Sequence, residues 1–275
     1  MGQPAMNGLT LSDSEFSQFQ SMIRQVAGIS MADSKKPLVS GRLARRVREH
    51  GLGSYGEYFR LVMQGGEEFQ TAVDLLTTNE TFFFREARHF DFLRDRILTA
   101  HDGKSPFRVW SAASSSGEEV WSLAMLLQDQ LGDSAWEVLG SDISVRMLQT
   151  ATRAIYPLER ARDLPQAYRS RFCLKGVGEY DGKLMVAKPL HSRVQFRQVN
   201  LIGALPALGA FDVIFLRNVM IYFDLETKRN VVERLYPLLR PGGHFIISHS
   251  ESLNGVSERF DLVAPSIYRK PDASV

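Results

Sequence analysis

A chain of 275 residues, 44% of them hydrophobic and 23% charged, has enough apolar material to bury a core and divide into two domains. No run approaches the roughly 20 apolar residues that a bilayer span requires, and the opening MGQPAMNGLTLSDSE has no apolar signal core, so a cytoplasmic protein without direct membrane insertion is expected. A formal charge of +2 argues against wholesale nucleic-acid binding, a single cysteine (Cys173) excludes an internal disulfide framework, and six scattered histidines lack paired ligand spacing, so neither redox chemistry nor a metal is expected.

From Ser12 to about Ala100 apolar residues recur at helical spacing. A capping box of Ser12 and Glu15 opens the first helix, followed by Phe16, Phe19, Ile23 and Val26 before Gly28. A second helix is predicted from about Pro37 to His50, a third opening at Ser54 with Glu57, and a fourth carrying Phe69, Ala72, Val73 and Leu76. Gly51 and Gly65-Gly66 punctuate them. The second helix is basic: Lys35, Lys36, Arg42, Arg45, Arg46 and Arg48 fall between Ser34 and Arg48 with no acid among them. On a helical wheel Val39, Leu43 and Val47 share one face, which places Arg42, Arg45 and Arg48 on a solvent-directed one. Such a face is either simply solvated or docks an acidic partner.

After Pro106 short apolar runs alternate with helical segments. FRVWSA, WEVLGSD, VQFRQVN, FDVIFLRN and HFIISHS read as strands of a mostly parallel sheet. In such sheets ligands bind outside the carboxyl ends of the strands, which directs attention to Ser111–Gly117, Asp142, Asn200 and Asn218. The segment from about Arg171 to Lys188 breaks the alternation and reads as an inserted antiparallel hairpin around Gly176, Gly178 and Gly182, with an edge to which a peptide strand can add. LRPGGHFIIS reads as a Pro-Gly-Gly turn between a helix and a strand, FDLVAPSIYRK as one antiparallel last strand, and Pro271–Val275 as frayed.

The small residues Ala112–Gly117 let backbone approach a ligand, yet the dinucleotide pattern G-x-G-x-x-G is absent and Glu118-Glu119 at the following helix start would repel a pyrophosphate. Asp142 at the end of the second strand suits the two ribose hydroxyls of an adenosine, or caps the helix that begins near Ser144. A ribose-binding acid without a phosphate loop favours S-adenosylmethionine over NAD. An NAD-dependent oxidoreductase is accordingly disfavoured.

TTNETFFFRE (Thr77–Glu86), AASSSGEEVWSLA (Ala112–Ala124) and FDVIFLRNVMIYFD (Phe211–Asp224), with SDI (Ser141–Ile143) and VNL (Val199–Leu201), resemble the CheR-type chemoreceptor glutamate methyltransferases. The resemblance runs from about Ser12 to Lys270 in the family's motif order. It implies an α/β fold: a small all-helical domain over 1–85, then a doubly wound seven-stranded Rossmann-like methyltransferase domain over 86–275, with an inserted antiparallel β-subdomain at about 171–190. It implies methyl transfer from S-adenosylmethionine to glutamate carboxylates of the cytoplasmic signalling domains of chemoreceptors, giving methyl esters and S-adenosylhomocysteine. On the resemblance, Asn79, Thr81 and Arg85 reach the cofactor, Glu119 and Asp142 bind its amino-acid and ribose portions, and Asn200, Leu201, Asn218 and Val219 line its adenine and methionine side.

Arg85 and Tyr222 are the candidate catalytic residues: the guanidinium can orient a carboxylate by a bidentate bond, and the phenol can position methyl donor or acceptor. The resemblance also favours docking of acidic receptor helices on Arg42, Arg45 and Arg48. It leaves the Gly176, Gly178 and Gly182 hairpin either as a tether for a receptor C-terminal peptide or as a cover for the cofactor. Val120-Trp121 stands where the family has Pro-Tyr, and Phe83 lies in a three-Phe run; neither change removes a polar group that the chemistry needs. RNVMIYF in place of an Asn-Pro-Pro-Tyr type sequence disfavours nitrogen methylation. The competing expectation is a catalytically silent S-adenosylmethionine-binding signalling module. With no long heptad pattern, a monomer is expected.

Overall fold

The computed structural model describes residues 9–272. Residues 1–8 of the opening segment and residues 273–275 of the tail expected to fray lie outside the described residues. Two compact units result: one ends at Thr78 and takes in Tyr222–Asp224, and the other begins at Asn79 and resumes at Leu225.

The first unit is helical. Helix α1 (Asp13–Ala27) opens with the expected capping box, in which Ser12 Oγ accepts the Glu15 N–H and Glu15 accepts the Ser12 N–H at 2.8 Å, and it closes on Gly28 in the left-handed region. Helix α2 (Lys36–Glu49) starts on Pro37 and buries Val39, Leu43 and Val47; α3 (Tyr55–Val62) is capped by Ser54; α4 (Glu67–Leu76) buries Ala72, Val73 and Leu76. The aromatic centre is Phe19, against Tyr58 at 6.3 Å and edge-on to Phe59 at 5.1 Å. Beside it Glu68 pairs with Arg46 and accepts the Tyr58 hydroxyl at 2.6 Å, and Arg46 above all holds its carboxyl at about 2. Tyr222–Asp224 completes this unit: the Ser30 N–H donates to the Tyr222 carbonyl at 2.7 Å, Phe223 bridges Ile29 in antiparallel fashion, and Asp224 pairs with Arg24 at 2.9 Å.

The second unit contains, in chain order, α5 (Ala87–Phe92), β1 (Phe107–Ser111), α6 (Glu118–Leu131), β2 (Trp136–Asp142), α7 (Val145–Arg153), β3 (Ile155–Pro157), α8 (Gln166–Phe172), β4 (Cys173–Lys175), β5 (Lys183–Val186), β6 (Val194–Gln198), β7 (Phe211–Leu216), α9 (Leu225–Leu235), β8 (Leu239–Ile247), β9 (Asp261–Ala264) and β10 (Ile267–Arg269). Its main sheet has seven strands in the order β6-β2-β1-β7-β8-β10-β9, the first five parallel and β10 antiparallel to both neighbours. Strand β7 at the centre is apolar from Val213 to Leu216, and these four residues are completely buried, as expected where both faces of a parallel sheet are covered. Strand order reverses between β1 and β7, and the loops after their carboxyl ends open there.

Three local readings are corrected. FDLVAPSIYRK forms two short antiparallel strands, β9 and β10, because Pro265 cannot donate a ladder hydrogen bond and Ser266 turns the chain at φ 63°. The Pro-Gly-Gly residues lie inside β8, where the pairing with β7 shifts register, and do not precede the strand. The inserted hairpin of β4 and β5 is present, but β3 adds on its far side to make a sheet of order β3-β5-β4. Among the described residues no helix is long and apolar enough to cross a membrane.

Candidate functional site

The loop after β1 is shaped by small residues. The Ser114 N–H donates to the Ser141 carbonyl at 2.7 Å, and the Ser115 N–H, at φ 48°, donates to Asp142 Oδ2 at 2.8 Å. Gly117 ends the loop at φ 94°; a Cβ there would lie 2.6 Å from that of Ala151. The next residues, Glu118 and Glu119, open α6 and are withdrawn from solvent. Two carboxylates complement the positive end of the helix and close it to phosphate.

Asp142 is 8% exposed, and its second oxygen accepts the Ser144 N–H at 2.9 Å. The cap of α7 is Ser144 itself, whose hydroxyl accepts the Met147 N–H. The aspartate therefore braces both loops at the ends of β1 and β2. The Val199 N–H donates to the Asp142 carbonyl at 3.1 Å, which brings the turn after β6 alongside. In that turn Asn200 accepts the Ile202 and Gly203 N–H groups and Leu201 is buried.

Glu119 receives the Ser111 hydroxyl at 2.7 Å and Arg217 Nη1 at 3.0 Å; burial pushes its carboxyl upward against the pull of Arg217 and Arg85. The Arg217 side chain is only 2% exposed. It donates its other terminal nitrogen to the Arg85 carbonyl and lies 3.6 Å from Glu86 Oε1. Glu86 in turn accepts the Ser248 hydroxyl at 2.9 Å and the His249 N–H at 3.0 Å. Burial alone would raise the Glu86 carboxyl, but Arg217 and these donors hold it at about 2.

Asn79 and Thr81 enter through their carbonyls, which accept Ser115 Oγ and Arg160 Nη2, each at 3.1 Å. Arg85 is half-buried, donates to the Glu80 carbonyl at 2.8 Å and lies over the Phe82 ring. Asn218, at φ 57°, donates its amide to Ser248 Oγ at 2.7 Å and its N–H to Glu251, and Val219 beside it is half-buried. Nine of the expected cofactor residues thus belong to the second unit, at the carboxyl ends of its parallel strands or on the segment bonded to them: Asn79, Thr81, Arg85, Glu119, Asp142, Asn200, Leu201, Asn218 and Val219. Among the described residues, six besides glycine have positive φ, and Phe84, Glu86, Ser115 and Asn218 are four of them. Such strain concentrates where a ligand-shaped backbone overrides local preference.

Sequence reasoning missed Arg217 and Glu86. Both stand inside quoted motifs, next to Asn218 and Arg85, but a pairing so distant along the chain leaves no local pattern.

Arg42, Arg45, Arg48 and Tyr222 belong to the helical unit. Arg42 departs from the solvent-directed face assigned to it: it is half-buried and caps α4, donating to the Leu76 and Thr77 carbonyls at 3.2 and 3.0 Å. Arg45 is exposed and pairs with Glu49, and Arg48 is exposed. In the small sheet, Gly176 cannot carry a side chain, since a Cβ would meet the Tyr180 carbonyl at 1.8 Å, whereas Gly178 and Gly182 lie open. Leu174, Val177 and Tyr180 are exposed around that edge.

The groups of the second unit fit a ligand with a ribose, a cationic centre and no phosphate: Asp142 for hydroxyls, Glu119 near a glycine-shaped loop, and the buried Ser114 hydroxyl, which has no hydrogen-bond partner among the described residues. Residues 79–268 match the family model described as CheR methyltransferase, SAM binding domain, and residues 14–77 the CheR methyltransferase, all-alpha domain. Similar proteins include Chemotaxis protein methyltransferase 2 of Pseudomonas aeruginosa, 42% identical over 257 residues that cover 92% of each chain. Chemotaxis protein methyltransferase of Escherichia coli is 40% identical over 94% of this chain and 92% of its own. That of Borreliella burgdorferi is 31% identical over 95% of this chain and 96% of its own.

Proposed function

Because the chain belongs to the CheR methyltransferase family, we propose that it methylates glutamate side chains of chemoreceptors in the cytoplasm, with S-adenosylmethionine as donor and S-adenosylhomocysteine as product. The observation that carries this reading is the pair of acids Glu119, in the first turn of α6, and Asp142, at the end of β2, which hold the loop after β1 and close it to phosphate. When bound, S-adenosylmethionine supplies a methyl group on a cationic sulfur, an electrophile that a glutamate carboxylate takes without a base.

The residues hold and orient. Asp142 accepts the ribose hydroxyls, Glu119 with its Arg217 partner faces the amino-acid portion, and Asn200 and Leu201 border the adenine. Asn79, Thr81, Asn218 and Val219 line the remainder. Arg85 has a planar fork of five N–H donors, one of them on Glu80, and turns the others to a carboxylate. Tyr222 offers a hydroxyl that positions donor or acceptor. Arg45 and Arg48 attract acidic receptor helices, with Arg42 buttressing the same helix, and the edge near Gly176, Gly178 and Gly182 receives a receptor C-terminal peptide. A water-poor site favours the reaction because an anion and a cation combine to neutral products.

The test is calorimetry with S-adenosylhomocysteine on the native protein and Asp142→Ala, followed by methyl transfer to a receptor cytoplasmic fragment carrying glutamate or glutamine at the acceptor positions. Loss of two charge-assisted hydrogen bonds should weaken binding roughly a hundredfold, and only the glutamate fragment should be labelled. Tight binding without labelling would leave a silent signalling module instead.

A further inference from the structure

The small antiparallel sheet interrupts the main fold between α7 and β6; one of its side chains, Tyr156, ends on the loop that would cradle the cofactor, and Arg160 from the turn after β3 ends beside it. Tyr156, in the middle of β3, is 1% exposed and its hydroxyl donates to the Ser116 carbonyl at 2.7 Å. The same hydroxyl lies 3.1 Å from where a Cβ on Gly117 would stand. Its ring meets that of Phe83 edge-on at 5.1 Å, within the segment that carries Thr81 and Arg85. Arg160, in the turn after β3, donates to the Thr81 carbonyl at 3.1 Å and places Nε 3.0 Å from Glu118 Oε1. Glu118 is completely buried, and its other oxygen accepts the Ser116 hydroxyl at 2.7 Å.

Ser116 is therefore held twice, through its carbonyl by Tyr156 and through its hydroxyl by Glu118, while Arg160 neutralises Glu118 and holds Thr81. A wedge needed only for stability would be filled as well or better by apolar side chains, since taking an ion pair out of water is expensive. What the polar set adds is direction: it fixes two backbones, at Ser116 and Thr81, relative to one another.

We propose that the small sheet is a clamp on the cofactor loop, with Tyr156 and Arg160 as positioning residues that shape the site for S-adenosylmethionine before it binds. This rests on the reading that the cofactor sits on the Ala112–Gly117 loop.

The experiment is calorimetry with S-adenosylhomocysteine, well below the melting temperature, on the native protein, Tyr156→Phe, Arg160→Lys, Arg160→Ala and the exposed control Leu262→Ala. Tyr156→Phe leaves the Ser116 carbonyl unpaired and should weaken binding roughly tenfold. Arg160→Ala should weaken it at least as much, and Arg160→Lys, which keeps the charge but loses the fork, less. In turnover, KM for the methyl donor should rise with kcat nearly kept, and Leu262→Ala should match the native protein. Because Tyr156 is buried, the Arg160 pair provides an independent arm if Tyr156→Phe folds poorly. Native affinity in both Tyr156→Phe and Arg160→Ala, with lowered melting temperatures, would reduce these residues to scaffolding and overturn the clamp. Absence of binding by the native protein would instead overturn the cofactor reading, and the clamp with it.

Discussion

Glu86 holds an acid in the left-handed backbone region, at φ 59°, with its carboxylate between Arg217, His249 and the Ser248 hydroxyl. A conformation costing about 1–3 kcal/mol persists only where neighbours impose it, and here the neighbours are donors to one carboxylate. His89, 4% exposed, lies 3.5 Å from the same group; burial above all, then Arg217, pushes its imidazole down to about 4. The pH consequence has two windows. His89 is depressed below its ordinary 6.5, so the unfolded chain takes up a proton that the folded one refuses, and the stability present above 6.5 is lost as pH falls towards 4. Glu86 is depressed from 4.5 to about 2, and its contribution is lost in turn across that lower interval. Urea unfolding followed from pH 7 to 3 should show both losses; Glu86→Gln should flatten the lower one and cost roughly 1–3 kcal/mol at neutral pH, since Arg217 is left short of an anion. An unchanged acid limb in Glu86→Gln would mean that the carboxylate is not held as the geometry indicates.

Helix α2 separates two uses of arginine on one element. Arg42 bonds carbonyls at the end of α4, where a cation also meets the negative end of the helix dipole, so Arg42→Ala should lower stability by about 1 kcal/mol. Arg48 is exposed and pairs with no acid among the described residues, so Arg48→Ala should leave the melting temperature alone while raising KM for the receptor fragment and reducing its salt dependence. The opposite pattern, a stability loss at Arg48 and none at Arg42, would contradict this division. The helical wheel shows why only part of it was legible: three-residue spacing puts Arg42 and Arg48 on one face, but the wheel contains no neighbouring helix for Arg42 to cap. The same limit runs through the fold. Capping boxes, Pro at a helix start and apolar strand runs are local, and they located the four N-terminal helices and the five parallel strands. Strand β3 has three residues and too little pattern to announce itself, although it carries Tyr156. Glu119 at a helix start and Asp142 at a strand end stand in local context that points to them, whereas Glu86 and Arg217 acquire meaning only when β7 lies beside the segment after Thr81.

At the scale of the whole chain, the helical unit claims three residues from the middle of the other unit's sequence. Tyr222–Asp224 leaves the methyltransferase sheet after β7, gives its backbone to Ile29 and Ser30 and its Asp224 carboxylate to Arg24, and returns to α9. The exposed Arg24–Asp224 pair contributes little by itself, on the order of 0–1 kcal/mol. Phe223 is the anchor: it is 7% exposed, its backbone bridges Ile29, and a buried aromatic of this kind costs about 3–5 kcal/mol when truncated. The residue just before it is Tyr222. On the proposal that Tyr222 positions donor or acceptor, the helical unit thereby holds the backbone of a residue that the chemistry uses. Phe223→Ala should therefore lower kcat at least tenfold while affinity for S-adenosylhomocysteine stays native, because the proposed cofactor residues all belong to the other unit. A parallel Arg24→Ala variant, which removes only the weak pair, should sit close to native in both measurements. If Phe223→Ala lost cofactor affinity and turnover together, the segment would be supporting the methyltransferase unit itself, and the assignment of Tyr222 to a backbone held by the helices would fall.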